Sequence, residues 1–103
     1  MIFLYQNLNI KMGCTFKTEL NDSVWEPTTP VYSTTLFTTV AGWNDIFLQS
    51  TFDWDGNTNI VIEICWDDPD GFPFGGEDDI SATTTTYNSF HTGTAVSATG
   101  CNL

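Results

Sequence analysis

Residues 60–66, Ile-Val-Ile-Glu-Ile-Cys-Trp, constrain the fold more than any other stretch. Ile60, Ile62, Ile64 and Trp66 fall on one side at period two, and Val61, Glu63 and Cys65 on the other. Branched side chains lose rotamer freedom in a helix and pack well on a pleated surface, so the run predicts a β-strand. A buried helix is excluded because the flanking turns leave it too few residues. Apolar residues on both faces predict a central strand with at least one face buried. Glu63 then needs solvent or a partner, because an unpaired carboxylate is costly to bury. Upstream, Ile46 to Phe52 reads as a second strand, joined to the first by a tight loop from Asp53 to Asn59. The whole stretch Trp43–Trp66 carries three of the four tryptophans.

The rest of the chain fits the same class. Its 103 residues suffice for one domain with a modest core. Ile2 to Met12 predicts a strand with Leu4, Leu8, Ile10 and Met12 in phase, ended by Gly13 and Cys14. Thr15 to Pro30 reads as loop or a short helical turn, with Val24 and Trp25 folding back over a core edge. Pro27 and Pro30 keep that part of the backbone out of a central ladder. Val31 to Val40 is a Thr-rich strand whose phase is ambiguous: either both faces are partly covered or a bulge shifts the register. Ala41-Gly42 turns the chain. Asp67 to Asp79 is an irregular excursion with two prolines and three glycines. Ile80 to Phe90 and Thr94 to Thr99 read as closing strands. About six or seven strands at these intervals predict an all-β domain over residues 1–103, a β-sandwich or jelly roll.

Charge narrows the function. Thirteen acidic residues against two basic ones leave a formal net charge of -11. Such a surface repels nucleic acid and anionic lipid, and neither a leader peptide nor a transmembrane segment is legible. The opening residues instead read as a strand that begins without a preceding turn, which predicts a fragment of a longer chain. Lys11 and Lys17 permit few ion pairs. Self-repulsion of this size is offset by cations, and calcium is the plentiful one outside cells. Cys14, Cys65 and Cys101 allow one disulfide with a thiol left over; Cys65 with Cys101 is the preferred pair because it ties the C-terminal end to the central strand. Three reduced, buried cysteines are the alternative. No CxxC spacing suggests zinc.

The segment Gly42 to Cys65 resembles a β-sandwich repeat module of large secreted and cell-surface, adhesin-like proteins of Bacteroidota, often type IX-secreted. The resemblance is carried by Gly42, Trp43, Asn44, Leu48, Thr51, Phe52, Trp54, Asp55, Gly56, Asn59 and Cys65. Leu8 to Thr15, Val31-Tyr32, Thr83 to Ser89 and Cys101 resemble other parts of the module. The module usually has additional N-terminal strands that this chain lacks, and Cys14 stands where a polar residue is more usual. The resemblance implies extracellular or surface placement and a structural or binding role, with no defined ligand.

Two acidic loops are candidate calcium sites. Asp53, Asp55, Asn57 and Asn59 alternate in the first, although the EF-hand pattern fails because its glutamate position falls on Ile64 and its glycine is displaced. Local capping of backbone N–H groups by the same side chains is the competing reading. The second comprises Asp67, Asp68, Asp70, Glu77, Asp78 and Asp79, where close carboxylates repel unless a divalent ion or solvent intervenes. A calcium-dependent rise in melting temperature is the expected sign. Catalysis finds no support: His91 is the sole histidine and has no sequence partner. No carboxylate spacing, including Glu63 with Glu77, favours glycosidase chemistry.

Two function classes remain. One is an extracellular structural or adhesive module assembling with other copies or neighbouring domains, for which Phe72 and Phe74 offer partner contacts. The other is a carbohydrate-binding module in which Trp25, Trp43 or Tyr87 stacks on sugar rings of surface glycans. Core packing is the expected fate of most tryptophans.

Overall fold

The computed structural model describes residues 4–20, 25–67, 83–90 and 101. Three strands form one antiparallel sheet: β1, Leu4–Thr15; β2, Thr29–Thr38; and β3, Asn59–Asp67. Their order is β2-β1-β3, and there is no α-helix among the described residues. The chain is therefore all-β.

The first and third strands lie where the alternation places them, with two corrections. Cys14 and Gly13 do not end β1, which runs on to Thr15 because Gly13, Cys14 and Thr15 pair with Val61, Ile60 and Asn59. Among the described strands, β3 lies at an edge of the sheet and β1 takes the centre. The central position goes to the longest strand, whose two sides both find antiparallel partners.

The ambiguous phase of the Thr-rich strand resolves as a bulge. Ile10 pairs with Tyr32 but Lys11 with Pro30, so Val31 is the extra residue, and it is among the most buried side chains of the sheet. Pro30 is accommodated because β2 is an edge strand among those described. A second bulge lies in β1, where Gln6 pairs with Asp67 and Asn9 with Cys65. Asn7 sits within it at φ 51°, a left-handed conformation that asparagine tolerates better than most residues. Asn7 Nδ2 donates to Asp67 Oδ2 at 2.9 Å and Asn9 Nδ2 to the Asn7 carbonyl at 3.1 Å, pinning the irregular residue from both sides. The inserted residue also shifts the phase of β1, and Tyr5 meets Trp66 edge to face with ring centroids 5.3 Å apart.

Residues directly opposite in antiparallel strands share a face. One face therefore carries Leu8, Ile10, Met12 and Cys14 of β1 with Ile60, Ile62 and Ile64 of β3; the other carries Asn9, Lys11, Gly13 and Thr15 with Asn59, Val61, Glu63 and Cys65. The chain folds back on the second, more polar face. Cys65 and Cys101 are disulfide-bonded across a separation of 36 residues, and Asn9 Nδ2 lies 3.6 Å from Cys101 Sγ. Lys11 Nζ meets Glu63 Oε2 at 3.4 Å, the partner that Glu63 requires. Gly13 lies under the Pro27–Thr28 backbone, so closely that a Cβ would fall 2.3 Å from the Pro27 carbonyl oxygen. Beside it, Lys17 Nζ meets Glu26 Oε2 at 2.7 Å, and Thr15 Oγ1 donates to the other oxygen of that carboxylate. Both lysines are thus engaged with glutamates, Lys11 across the sheet and Lys17 across the connection between β1 and β2.

Two further strand expectations fail within the described residues. Residues 46–52 are irregular, and so are residues 83–90 of the expected Ile80–Phe90 strand. In the latter, Thr85 Oγ1 donates to the Tyr87 carbonyl at 2.7 Å, and serine and threonine hydroxyls of this kind compete with ladder formation. Thr94–Thr99 lies outside the described residues.

Candidate functional site

The features that sequence reasoning marks as sites separate into turns and surfaces once folded. In the Asp53–Asn59 loop, Gly56 has φ +82°, a conformation that glycine adopts without steric cost. Asp55 organises the turn around it. Its Oδ1 accepts from the N–H groups of Asn57 and Thr58, both at 2.9 Å, and its Oδ2 accepts from Thr58 Oγ1 at 2.7 Å. These bonds, led by the Thr58 hydroxyl, hold the Asp55 carboxyl below its ordinary pKa of 3.8. Trp54 Nε1 donates to the Thr58 carbonyl at 2.7 Å and closes the same loop. Both Asp55 oxygens serve local donors, which is the capping arrangement.

Asp53 and Asn57 are exposed in this loop, and Asp67 stands apart at the end of β3, bonded to Asn7. No three His, Cys, Asp or Glu side chains gather in metal-binding geometry among the described residues. Asp68, Asp70, Phe72, Phe74, Glu77, Asp78 and Asp79 lie outside those residues.

The tryptophans correct the core expectation. Trp43 is 83% exposed and Trp54 54%, and Trp25, Trp66 and Tyr87 are also exposed. The reason for Trp43 is the turn that carries it. Gly42 adopts φ +87°, while the Asn44 side chain accepts from the Val40 N–H at 2.8 Å and donates to the Val40 and Gly42 carbonyls. The asparagine amide closes the loop on itself, and the intervening indole points outward.

An extended apolar surface runs along β3. Ile60, Ile62, Ile64 and Trp66 are 45%, 58%, 52% and 42% exposed, whereas Leu8 and Ile10 of the neighbouring central strand are buried. Successive exposed isoleucines on one strand form a continuous strip, which differs from the scattered single apolar residues normal on protein surfaces. Cys14, the free thiol, is exposed on the same face opposite Ile60.

At the opposite edge, sequence reasoning missed Gln49. Its Oε1 accepts from the Ser33 N–H at 3.1 Å and its Nε2 donates to the Ser33 carbonyl at 3.0 Å. The Gln49 and Ser50 N–H groups both donate to the Val31 carbonyl, at 2.8 and 3.2 Å. A polar residue in an otherwise apolar run, Ile46-Phe47-Leu48, was the available signal.

Among the described residues no helix is long and apolar enough to cross a membrane. Comparison with protein-family models, with curated proteins and with solved structures finds no match to this chain.

Proposed function

We propose that this chain is an extracellular structural or adhesive module of β-sandwich type, which assembles with other copies of itself or with neighbouring domains. The observation that carries the reading is the strip Ile60, Ile62, Ile64 and Trp66, half-exposed along one strand at the edge of the described sheet. Burying apolar area against a partner is favourable by about 25 cal/mol per Å², so such a strip is a standing incentive to associate. The Cys65–Cys101 disulfide is compatible with an oxidising compartment, and the resemblance of Gly42–Cys65 to secreted adhesin-like modules points the same way. Light scattering over a concentration series tests the reading, at an ionic strength of about 0.15 M so that like charges are screened beyond roughly 8 Å. The expected result is a mass that rises above 11.5 kDa with concentration and falls back in Ile62→Glu, whose charge sits on the exposed strip. A wild-type chain that stays monomeric throughout refutes it.

The exposure of Trp25, Trp43 and Tyr87 favours one other reading, a carbohydrate-binding module in which these rings stack on sugars. Absence of binding on a broad glycan array removes that alternative.

A further inference from the structure

We propose that Gln49 is a latch that closes the outer edge of β2 against strand addition by a second copy of this chain. The inference starts from what the edge lacks. Natural sheets protect exposed edges with charged side chains, prolines, bulges or covering loops, because unpaired N–H and C=O groups are a template for another strand. From Pro27 through Asn44 this chain carries no charged residue, although its net charge is -11. The strand therefore offers no like-charge opposition of its own to a second copy. Its Val-Tyr-Ser-Thr-Thr-Leu-Phe-Thr run also has strong strand propensity.

Protection comes from three devices instead. Pro30 removes a donor at the start of β2, and the bulge at Val31 breaks the regular spacing of the ladder. Beyond them the regular part of the strand begins, and there the Gln49 carboxamide takes both backbone groups of Ser33, at 3.1 and 3.0 Å. One side-chain amide presents a donor and an acceptor in the way that an incoming peptide group would. It thereby occupies the first ladder site that a second copy needs. The backbone N–H groups of Gln49 and Ser50 anchor the latch on Val31. Because residues 46–50 belong to no strand, the cover is held by a few bonds and adds no new edge of its own.

The test is Gln49→Met, which keeps the length of the side chain and removes both bonds, made in the wild type and in the Ile62→Glu background. Gln49→Asn, one methylene too short to span Ser33, serves as the second variant if the first does not fold. The expected result has two parts. The Ser33 amide exchanges with solvent roughly five- to tenfold faster in dilute, monomeric samples, as loss of one ordinary hydrogen bond predicts. At high concentration the Ile62→Glu chain acquires a dimer or larger species, which disappears when Thr35→Pro blocks the same edge two residues further on. Unchanged Ser33 exchange together with an unchanged mass overturns the proposal, as does association that Thr35→Pro leaves intact. The latch bears on assembly through the opposite edge from the isoleucine strip. A monomeric wild type therefore refutes the proposed function alone, and the latch is judged on the Gln49 variants.

Discussion

Replacing Gly13 by alanine puts a methyl group where the chain has no room. An ideal Cβ at that position lies 2.3 Å from the Pro27 carbonyl oxygen, 3.3 Å from Thr28 Cα and 3.4 Å from the Pro27 carbonyl carbon. All three atoms are backbone, so no side chain can swing aside; either the Pro27–Thr28 segment lifts or β1 bends. Lifting is resisted by Glu26, which is held by Lys17 and Thr15. Bending is resisted by the pairing of Gly13 with Val61. Overpacking of a close contact costs roughly 1–3 kcal/mol, and a clash between two constrained backbones belongs at the upper end, near 3 kcal/mol. For a domain of this size that corresponds to a fall in melting temperature of roughly 12–24 °C. Urea titration of the oxidised protein followed by tryptophan fluorescence measures it, with Gly42→Ala as a comparison. Gly42 has nothing within 4 Å of its Cβ position but sits at φ +87°, so its replacement costs only the backbone term of about 1–2 kcal/mol. A Gly13→Ala protein within about 0.5 kcal/mol of wild type, the usual range of an unconstrained surface substitution, refutes the close approach.

Two other perturbations test the supports of the fold and its one organised turn. Removing the disulfide with the double substitution Cys65→Ser and Cys101→Ser releases a closure of 36 residues, which loop entropy values at about 3–4 kcal/mol, and urea titration reads the loss directly. Asp55 supplies the pH dependence: its carboxyl is depressed by bonds to Thr58 and Asn57, so its contribution is complete above the unfolded-state value and is lost as pH falls through the lower folded-state value. Thr58→Ala removes the largest cause, and the Asp55 carboxyl midpoint in an NMR titration moves up toward 3.8; an unmoved midpoint contradicts the assignment.

Much of the β character was legible because alternation is a local property. Ile60–Trp66 and Ile2–Met12 announce their strands through period two, and strands occur there as β3 and as β1 from Leu4, although the bulge at Asn7 puts Leu4 out of phase with Leu8, Ile10 and Met12. The Asp55-Gly56 turn and the Ala41-Gly42 turn were legible for the same reason, since a positive φ and a short polar side chain act within a few residues. The preferred pairing of Cys65 with Cys101 was reached from loop closure and is present. Ile46–Phe52 misled because its apolar residues resemble a strand while its Gln49 side chain takes the place of a ladder partner. The tryptophans misled because hydrophobicity predicts burial only on average, and a closed loop such as Val40–Asn44 leaves its indole outside.

What the sequence determined by itself is the alternating runs that become β1 and β3, the turns at Gly42 and Gly56, and the acidic composition. Which of the described strands is central, and which face of β3 the chain covers, were decided only by the tertiary structure. The isoleucine side looks like the face to bury, yet it is covered only along β1, at Leu8 and Ile10, and left open along β3, while the chain folds back over the side with Asn9, Lys11, Gly13, Glu63 and Cys65. The reason is that this side offers specific attachments: a disulfide, a cross-strand ion pair and a glycine that admits a crossing backbone. The disulfide and the ion pair join residues tens of positions apart. Hydrophobic contact is non-directional, and so periodicity along one strand cannot reveal which of its faces the rest of the chain will find.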